Sequence, residues 1–343
     1  MILGMNSFGR KFRVSVFGES HGPYVGVTID GVPSGLELCE AELAADIDRR
    51  RPGAPGTTAR MESDVPQIIS GLYEGHTTGA PLTLLFANAD VDSSAYGQFR
   101  SVPRPGHADF SATERFGAWN DLRGGGHFSG RLTLPIVAAG VVAKKLAAGI
   151  MGIEEDERIV DAGIVELGGI SGKFCDTAEA LENPQWKNAL EQAAAQGDSL
   201  GAVVECRASV PAGIGDPFWD SVESLMSHAI FSIPGVRGVE FGDGFKASSM
   251  KGSEHNDPFG PDGLPAKNGS GGVNGGITNG APVLFRVAFK PTSSISKAQK
   301  TLDFEKGEMT ELSIKGRHDV CFALRTPVIV EAMAAIVIAD LIL

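Results

Sequence analysis

The chain has 343 residues, of which 42% are hydrophobic, and a formal net charge of −12 at pH 7. This length and composition predict a water-soluble globular protein with a large core, and the acidic balance argues against broad binding to nucleic-acid phosphates. The four cysteines, at positions 39, 175, 206 and 321, lack CxxC spacing, which predicts a reducing compartment, namely the cytoplasm, and no cysteine-based zinc site.

The first half of the chain predicts strands separated by one amphipathic helix. Alternating apolar residues indicate strands near 12–17, 24–30, 65–73 and 81–87. Leu43 and Ile47, spaced i, i+4, predict a helix near 40–50 that ends at Pro52-Gly53. The N-terminus has no apolar region of the kind that marks a signal peptide.

Two long apolar runs predict buried helices. The run from Thr133 to Met151 has two lysines as its only charges, so it is apolar nearly all round and should lie deep inside. The run from Pro327 to Leu343 is slightly short for a membrane span and contains Glu331 and Asp340. We therefore expect a core helix there and no membrane association.

A weak internal repeat predicts the fold class. Residues 27–35 and 204–213 both read as a strand that reaches Val-Pro-x-Gly and then a helix, the second near 216–231. The chain would then be a single domain, 1–343, with two related halves, 5–195 and 196–343. The predicted fold is α+β, a layered β-α-β sandwich with helices packed between antiparallel sheets. The alternative is chance similarity.

A segment rich in Gly, Asn, Asp and Pro, 252–281, has no periodicity. A strand pattern resumes beyond it at 282–290, so a functional loop or lid is favoured over a linker.

Three histidines occur in similar polar loops. His21 lies in Gly18-Glu19-Ser20-His21-Gly22, where the glycines let the backbone hold Ser20 and His21 tightly against a ligand. His107 lies in Arg104-Pro105-Gly106-His107-Ala108-Asp109, and His318 in Gly316-Arg317-His318-Asp319. Loops of one type suggest one shared site, in which histidine can move protons near neutral pH.

The glycine-rich segment Arg123–Arg131 precedes the apolar helix at Thr133. Backbone N–H groups, the helix N-terminus and the two arginines would together bind an anion, although a plain glycine connection is the alternative. No Gly-Lys-Ser/Thr follows, so the segment is not an ATP-binding P-loop. Gly242–Ala247 matches G-x-G-x-x-A, but Gly252 interrupts the helix that a dinucleotide fingerprint needs, so that match is attributed to chance.

Two further segments carry cations. Lys290–Ser296 follows a strand and offers an ammonium and four hydroxyls for a phosphate, or else is a plain polar turn. Arg49–Arg51 ends the first helix and has a solvated helix end as its alternative role. No histidine spacing predicts a metal site, and adjacent Ser20 and His21 do not by themselves form a hydrolase triad.

Taken together, these motifs resemble those of chorismate synthases in order and spacing, over about residues 5–343. The motifs that carry the resemblance are Gly18–Gly22, Arg49–Gly53, Arg104–Asp109, Arg123–Arg131, Lys290–Ser294 and Arg317–Asp319. The resemblance implies a 1,4-anti elimination of phosphate and the C6 hydrogen from 5-enolpyruvylshikimate 3-phosphate. Reduced FMN is required, although no net redox change occurs.

The resemblance also implies residue roles. His21 would protonate the leaving phosphate, His107 would protonate the reduced flavin near N1, and Asp319 would assist the flavin N5 in taking the C6 proton. The residues implied for substrate binding are Ser20, Arg50, Arg123 and Arg131, and those implied for FMN are His127, Phe128, Ser129, Pro234, Gly235, Gly275, Lys290, Pro291, Thr292, Ser293, Ser294 and Arg317.

The sequence departs from the family pattern at several positions. His127 stands where many members have Arg, Leu132 where many have Glu, and Pro234-Gly235 where Asn-Ala is frequent. Ala54-Pro55-Gly56 replaces a segment that often carries another arginine, which puts its phosphate or nicotinamide (NADP) contact in doubt. Flavin affinity or its pH dependence is expected to differ accordingly.

The remaining expectations concern partners and rival functions. The chain has no insertion resembling a flavin-reductase module, so an external system should supply reduced FMN, and the resemblance implies a homotetramer. The enzymatic rival is a flavin reductase or flavin-dependent oxidoreductase, which would consume reducing equivalents at each turnover. The non-enzymatic rival is a flavin- or anion-binding protein, in which His107 would be dispensable.

Overall fold

The computed structural model describes residues 6–57, 62–89, 93, 96–153, 158–314, 316 and 318–343. The strands of this part of the chain are β1 Ser7–Phe8, β2 Arg13–Gly18, β3 Tyr24–Asp30, β4 Gln67–Ser70, β5 Leu72–Tyr73, β6 His76–Thr77, β7 Leu82–Ala87, β8 Val160–Leu167, β9 Ile170–Cys175, β10 Ala202–Ala208, β11 Val236–Phe241, β12 Val273–Asn274, β13 Ile277–Thr278, β14 Val283–Phe289, β15 Gln299–Asp303 and β16 Glu308–Leu312. The helices are α1 Glu40–Arg50, α2 Asp109–Phe116, α3 Thr133–Met151, α4 Thr177–Glu182, α5 Pro184–Ala195, α6 Val222–Phe231, α7 Gly252–His255 and α8 Pro327–Ile342.

Two five-stranded antiparallel sheets enclose a helical layer. The first has the strand order β1-β2-β3-β7-β4, and the second has the order β11-β14-β10-β8-β9. Helix α3 packs on the first sheet, α8 packs on the second, and the two helices pack on each other. The predicted α+β layered sandwich is confirmed, and the absence of parallel βαβ units in the described sheets agrees with the rejection of a dinucleotide fold.

The contact between α3 and α8 explains why both helices are apolar nearly all round. Each has a sheet on one side and the other helix on the opposite side, so little of either surface faces solvent. The bounds of α3 coincide with the predicted 133–151. In the described chain, Gly130–Met151 is the one helix with the length and hydropathy to cross a bilayer, and most of it is buried in this core.

Two carboxylates of α8 are buried with partners. Glu331 is 2% exposed and accepts two hydrogen bonds from Arg49, at 2.6 and 2.7 Å, and one from Lys144 at 3.1 Å. Asp340 Oδ1 accepts from three successive backbone N–H groups, those of residues 10–12, at 2.6 to 2.9 Å. These bonds offset the cost of burying charge and fasten α8 to α1, to α3 and to the segment before β2.

The two Val-Pro-x-Gly segments adopt the same turn. In the first, Thr77 Oγ1 donates to Pro33 O at 2.6 Å and Gly35 N donates to Thr77 O at 2.8 Å. In the second, Thr278 Oγ1 donates to Pro211 O at 2.6 Å and Gly213 N donates to Thr278 O at 2.9 Å.

The sheets correspond as well. Four neighbouring strands of the first sheet, β2-β3-β7-β4, match β8-β10-β14-β11 of the second in both spatial and chain order, whereas the edge strands differ because β1 precedes β2 and β9 follows β8. The internal repeat stays a prediction, and its boundary at residue 196 does not coincide with the sheets, because β8 and β9 precede that residue but belong to the second sheet.

Some local expectations differ from the structure. Helix α6 begins at Val222 rather than near 216, because residues 218–220 form a 3-10 turn and Ser221 caps the helix by accepting from Ser224 N. The segment 252–281 contains α7, β12 and β13, and Lys267 Nζ donates to the carbonyl of His255 at 2.7 Å. Cys206 and Cys321 are buried as expected for core residues, whereas Cys39 is exposed.

Both central helices begin at the same end of the sandwich. Residues Gly130 and Arg131 before α3, and Phe322 and Arg325 before α8, line one cavity. A helix N-terminus carries unpaired N–H groups and a positive partial charge, so the fold directs two such ends toward this cavity.

Candidate active site

The cavity between the two helix N-termini has a volume of about 550 Å³. Its wall brings together most of the residues that the sequence indicated. These are His107, Asp319, Arg50, Arg131, His127, Phe128, Ser129, Pro234, Gly235 and the run Lys290, Pro291, Thr292, Ser293 and Ser294. They come from the end of α1 and from loops that follow β7 and β14 or precede β11, α3 and α8, so segments distant in sequence meet at one end of the fold.

His21 and Ser20 lie behind the glycine loop that forms part of this wall. Gly124, which lines the cavity, has φ of +59°, and a Cβ there would lie 2.7 Å from Ser20 Oγ and would overlap the His21 ring. Ser20 is fully buried and its N–H donates to Gly126 O at 3.1 Å. His21 Nδ1 lies 2.9 Å from Ser93 Oγ. The absence of a side chain at Gly124 therefore allows its loop to pack closely against Ser20 and His21.

His107 faces the cavity from the loop before α2. Its Nδ1 lies 2.6 Å from Oδ1 of Asp109, a carboxylate that is 1% exposed. Arg104 donates to the same carboxylate through Nε and Nη2, both at 2.7 Å. Burial alone would raise the pKa of Asp109, but the hydrogen bonds from Arg104 and His107 outweigh it and hold that pKa well below its usual range.

Arg50 and Arg131 form a buried pair of guanidinium groups on one side of the cavity. Both contact Asp64, which is ion-paired with Arg131 and lies 3.5 Å from Arg50 Nη1. Asp64 has a positive φ of 49°, a strained conformation for a residue with a side chain. Arg50 is 4% exposed, so the alternative of a solvated helix end is wrong for this arginine.

A second cationic region lies across the cavity. Lys290 Nζ donates to Gly106 O at 2.8 Å and to the Ser293 hydroxyl, which are neutral acceptors. Arg237 donates to the neighbouring carbonyl of Val236 at 2.7 Å. Within the described residues, neither cation has a carboxylate at ion-pair distance. Burial first, and then the charge of Arg237, lower the pKa of Lys290.

Asp319 lines the cavity beside the N-terminus of α8. Its Oδ2 accepts from Arg325 Nη2 at 2.7 Å. The neighbouring His318 does not line the cavity, and its buried Nε2 has no hydrogen-bond partner in the described part of the chain. Burial lowers the pKa of His318, which favours the neutral ring.

Two further predicted residues do not line the cavity, and a third lies outside the described part of the chain. Arg123 does not line the cavity; it is exposed and bonds to Asp121, which holds the pKa of Asp121 below its usual range. Gly275 is in the turn between β12 and β13 and does not line the cavity. Arg317 lies outside the described residues.

His127 binds the protein backbone. Its Nδ1 lies 2.8 Å from Gly18 O, at the end of β2, and its Nε2 lies 3.1 Å from the Asn6 side-chain amide. Both ring nitrogens therefore contact the protein itself, and the Nδ1 contact holds the end of β2 from which the His21 loop begins. The longer arginine side chain of many relatives would extend further from the backbone at this position.

Several cavity residues were missed by the sequence reasoning: Glu62, Asp64, Arg237 and Arg325. Asp109, just behind the wall, was noted in its motif without a role. The spacing His-x-Asp after an Arg-Pro-Gly turn could have indicated Asp109. Arg237 and Asp64 carry no local signal, because their positions at the site depend on strand pairing. No group of three His, Cys, Asp or Glu that could hold a metal ion occurs in the described chain.

Comparisons with known proteins identify the family of this chain. The family model for chorismate synthase matches residues 12–343. The chorismate synthase of Chitinophaga pinensis is 53% identical, over 99% of this chain and 97% of that protein. That of Korarchaeum cryptofilum is 45% identical, over 98% of this chain and 97% of that protein.

Solved structures give the same result. A crystal structure of a chorismate synthase matches with a TM-score of 0.72 at 26% identity, covering 97% of this chain and 92% of the other. Sequence and fold thus agree along almost the whole chain. The chain belongs to the chorismate synthase family, whose members are lyases of aromatic biosynthesis.

Proposed function

We propose that this cavity converts 5-enolpyruvylshikimate 3-phosphate to chorismate and phosphate with the help of reduced FMN. The observation that supports this most is the meeting, in one cavity, of His107 and Asp319 with two separate cationic regions. A substrate with one phosphate and two carboxylates, together with an anionic cofactor, needs local positive charge in a protein of net charge −12.

The residues present fit a phosphate-bearing cofactor. Lys290 and Arg237 are cations without carboxylate partners in the described chain, and the buried Thr292 Oγ1 has no hydrogen-bond partner there. A phosphate would relieve the repulsion between the two cations and satisfy the hydroxyl. We assign Lys290, the following Pro-Thr-Ser-Ser run, Pro234-Gly235 and Ser129 to FMN, which when bound supplies transient electron donation to the substrate.

Arg50 and Arg131 are assigned to the substrate's anionic groups. Their common partner Asp64 fixes both guanidinium groups while leaving them on the cavity wall. Hydrogen-bond donors that are already fixed need little reorganisation when negative charge moves to the departing phosphate. This preorganisation is the main electrostatic contribution expected of such a site.

The proton-transferring residues stand around these anion sites. His21, behind Gly124, is assigned to protonate the leaving phosphate. His107 holds a proton near the flavin, and Asp319, oriented by Arg325, takes up a proton at the wall beside α8. Arg123 and Gly275 are proposed from the family alone, since Arg123 bonds to Asp121 and neither residue lines the cavity.

The wider setting is proposed from the family. The enzyme would be a cytoplasmic homotetramer that receives reduced FMN from an external flavin-reducing system and binds neither nucleic acid nor membranes. Sedimentation velocity would test the tetramer, and a monomer at working concentrations would contradict it.

The variant His107→Ala separates the synthase from a flavin-binding protein. We expect a loss of about 10²-fold in turnover, the usual size of a general acid–base contribution, with FMN affinity largely kept. Turnover and FMN titration should be measured together, with His76→Ala as the control, since His76 is exposed and bonds only to a nearby carbonyl.

The consumption of NADPH distinguishes the synthase from a flavin reductase, because only the reductase uses reducing equivalents at each turnover. We expect no sustained NADPH oxidation by the purified protein with FMN. Rapid NADPH oxidation by this chain alone would contradict the assignment of an external reductant and favour the oxidoreductase.

A further inference from the structure

We propose that Asp109 is a positioning residue that fixes the proton of His107 on Nδ1, so that only Nε2 exchanges a proton with the cavity. This inference rests on the proposed function for the use of His107, but the tautomer itself is a property of the folded chain and can be tested without substrate or flavin.

The geometry around Asp109 leaves one consistent hydrogen-bond arrangement. Its Oδ1 lies 2.6 Å from His107 Nδ1 and 2.7 Å from Arg104 Nη2, and its Oδ2 accepts from Arg104 Nε at 2.7 Å. An arginine only donates and an ionised carboxylate only accepts, so Nδ1 must carry the hydrogen that faces Oδ1. The 3.1 Å approach of Arg104 Nη2 to His107 Nδ1 is then between two donors that share one acceptor.

Asp109 is held in the ionised form that this arrangement needs. It is 1% exposed, and Oδ2 also accepts from the backbone N–H of Arg104 at 3.1 Å. The bidentate contact with Arg104 compensates the charge of the carboxylate in the interior. Arg104 is itself held by Ser294 at 3.0 Å, which ties the arrangement to the cationic region of Lys290.

The other side of the ring faces the glycine loop and the cavity. A Cβ on Gly125 would lie 3.7 Å from His107 Nε2, so this edge of the ring is directed toward the loop that lines the site. With Nδ1–H fixed, the neutral ring presents a lone pair at Nε2, and the protonated ring presents an N–H there. Asp109 thus aims the proton transfer without contacting the reacting atoms.

The test is the imidazole 15N spectrum of protein labelled with 15N-histidine, with His107→Gln used to assign the His107 signals. At a pH where the ring is neutral, the wild-type chain should show Nδ1–H and an unprotonated Nε2. A neutral ring protonated on Nε2 would overturn the proposal, whether or not any variant folds.

The variant Asp109→Asn extends the test to activity. The amide can donate to Nδ1, so we expect the His107 signals to move toward the Nε2–H tautomer and kcat to fall about 10²-fold with a smaller change in KM. Asp243→Asn is the matched control, because Asp243 Oδ2 lies 3.0 Å from Nδ1 of His255, a pair that does not line the cavity. An unchanged His107 tautomer and kcat in folded Asp109→Asn would also overturn the proposal. A loss of kcat in Asp243→Asn equal to that in Asp109→Asn would do the same.

Discussion

Individual residues of the site differ in how far the sequence alone could find them. His107, Lys290 and their neighbours lie in short motifs whose residue types suit proton transfer and anion binding, so the sequence was sufficient to indicate them. Asp64 and Arg237 reach the cavity only through strands and turns that are remote in sequence. Their roles depend on pairing partners, which single-sequence patterns do not specify.

Lys290 gives a prediction about flavin affinity and its pH dependence. The folded pKa of Lys290 lies below the ordinary 10.5, so the ammonium is lost as the pH rises through a value lower than for an exposed lysine. Because a phosphate binds the charged form, FMN affinity should fall as the pH approaches 10.5.

Titration of FMN into the wild-type chain and into Lys290→Gln measures this effect. The variant should bind FMN at least about 10-fold more weakly at neutral pH, which is the loss of one charge-assisted hydrogen bond, and should lose the high-pH decline. Lys297→Gln is the control, since Lys297 bonds to Asp198 at the surface. Equal affinities in all three proteins would contradict the assignment of Lys290.

Among the secondary-structure elements, the two core helices can be predicted from the sequence. The turns around the candidate site can be predicted only in part. The apolar run at Thr133–Met151 gives the bounds of α3 because each face of the helix is buried. The start of α6 was predicted too early, because a 3-10 turn and a serine cap depend on local hydrogen bonds rather than on apolar spacing. The glycine loop before α3 is predicted to be an anion site, and in the structure it packs against His21, a contact that the sequence did not indicate.

Gly124→Ala tests that contact. The new methyl group would overlap the His21 ring and lie 2.7 Å from Ser20 Oγ, so turnover should fall by about 10-fold or more while the protein stays folded. Gly152→Ala is a matched control, because Gly152 also lies in the left-handed region, with φ of +66° and ψ of +31°, but has no atom within 4 Å of the added Cβ. Both variants carry the backbone strain of about 1 kcal/mol, and only the first should lose activity. Equal rates in the two variants would contradict the role of Gly124.

Gly140→Ala tests the contact between α3 and α8. A Cβ at position 140 would lie 2.5 Å from Ala332 Cα, so the helices must separate. We expect the free energy of unfolding to fall by about 1–3 kcal/mol despite the better helix propensity of alanine. Gly149→Ala, on the same helix with open space around the added Cβ, should be neutral or stabilising by up to about 1 kcal/mol. Urea unfolding of both variants measures the difference, and a stabilised Gly140→Ala would contradict the packing argument.

The whole molecule explains why one end of the sandwich carries the site. Four neighbouring strands of each sheet share one order, and the helices α3 and α8 begin at the same end. The sequence indicated the layered class and a repeat, but the order of strands within each sheet follows from long-range pairing that it does not display. The cavity could therefore not be predicted from the sequence, because its walls come from loops that only the folded chain brings together.

The central claim is that this cavity performs a redox-neutral elimination. The most direct measurement is anaerobic turnover of 5-enolpyruvylshikimate 3-phosphate with catalytic FMN and dithionite, following chorismate absorbance and released phosphate together. We predict equal amounts of the two products and many turnovers per flavin. Folded, FMN-bound protein that releases no phosphate, or that consumes one reducing equivalent pair for each product formed, would contradict the account.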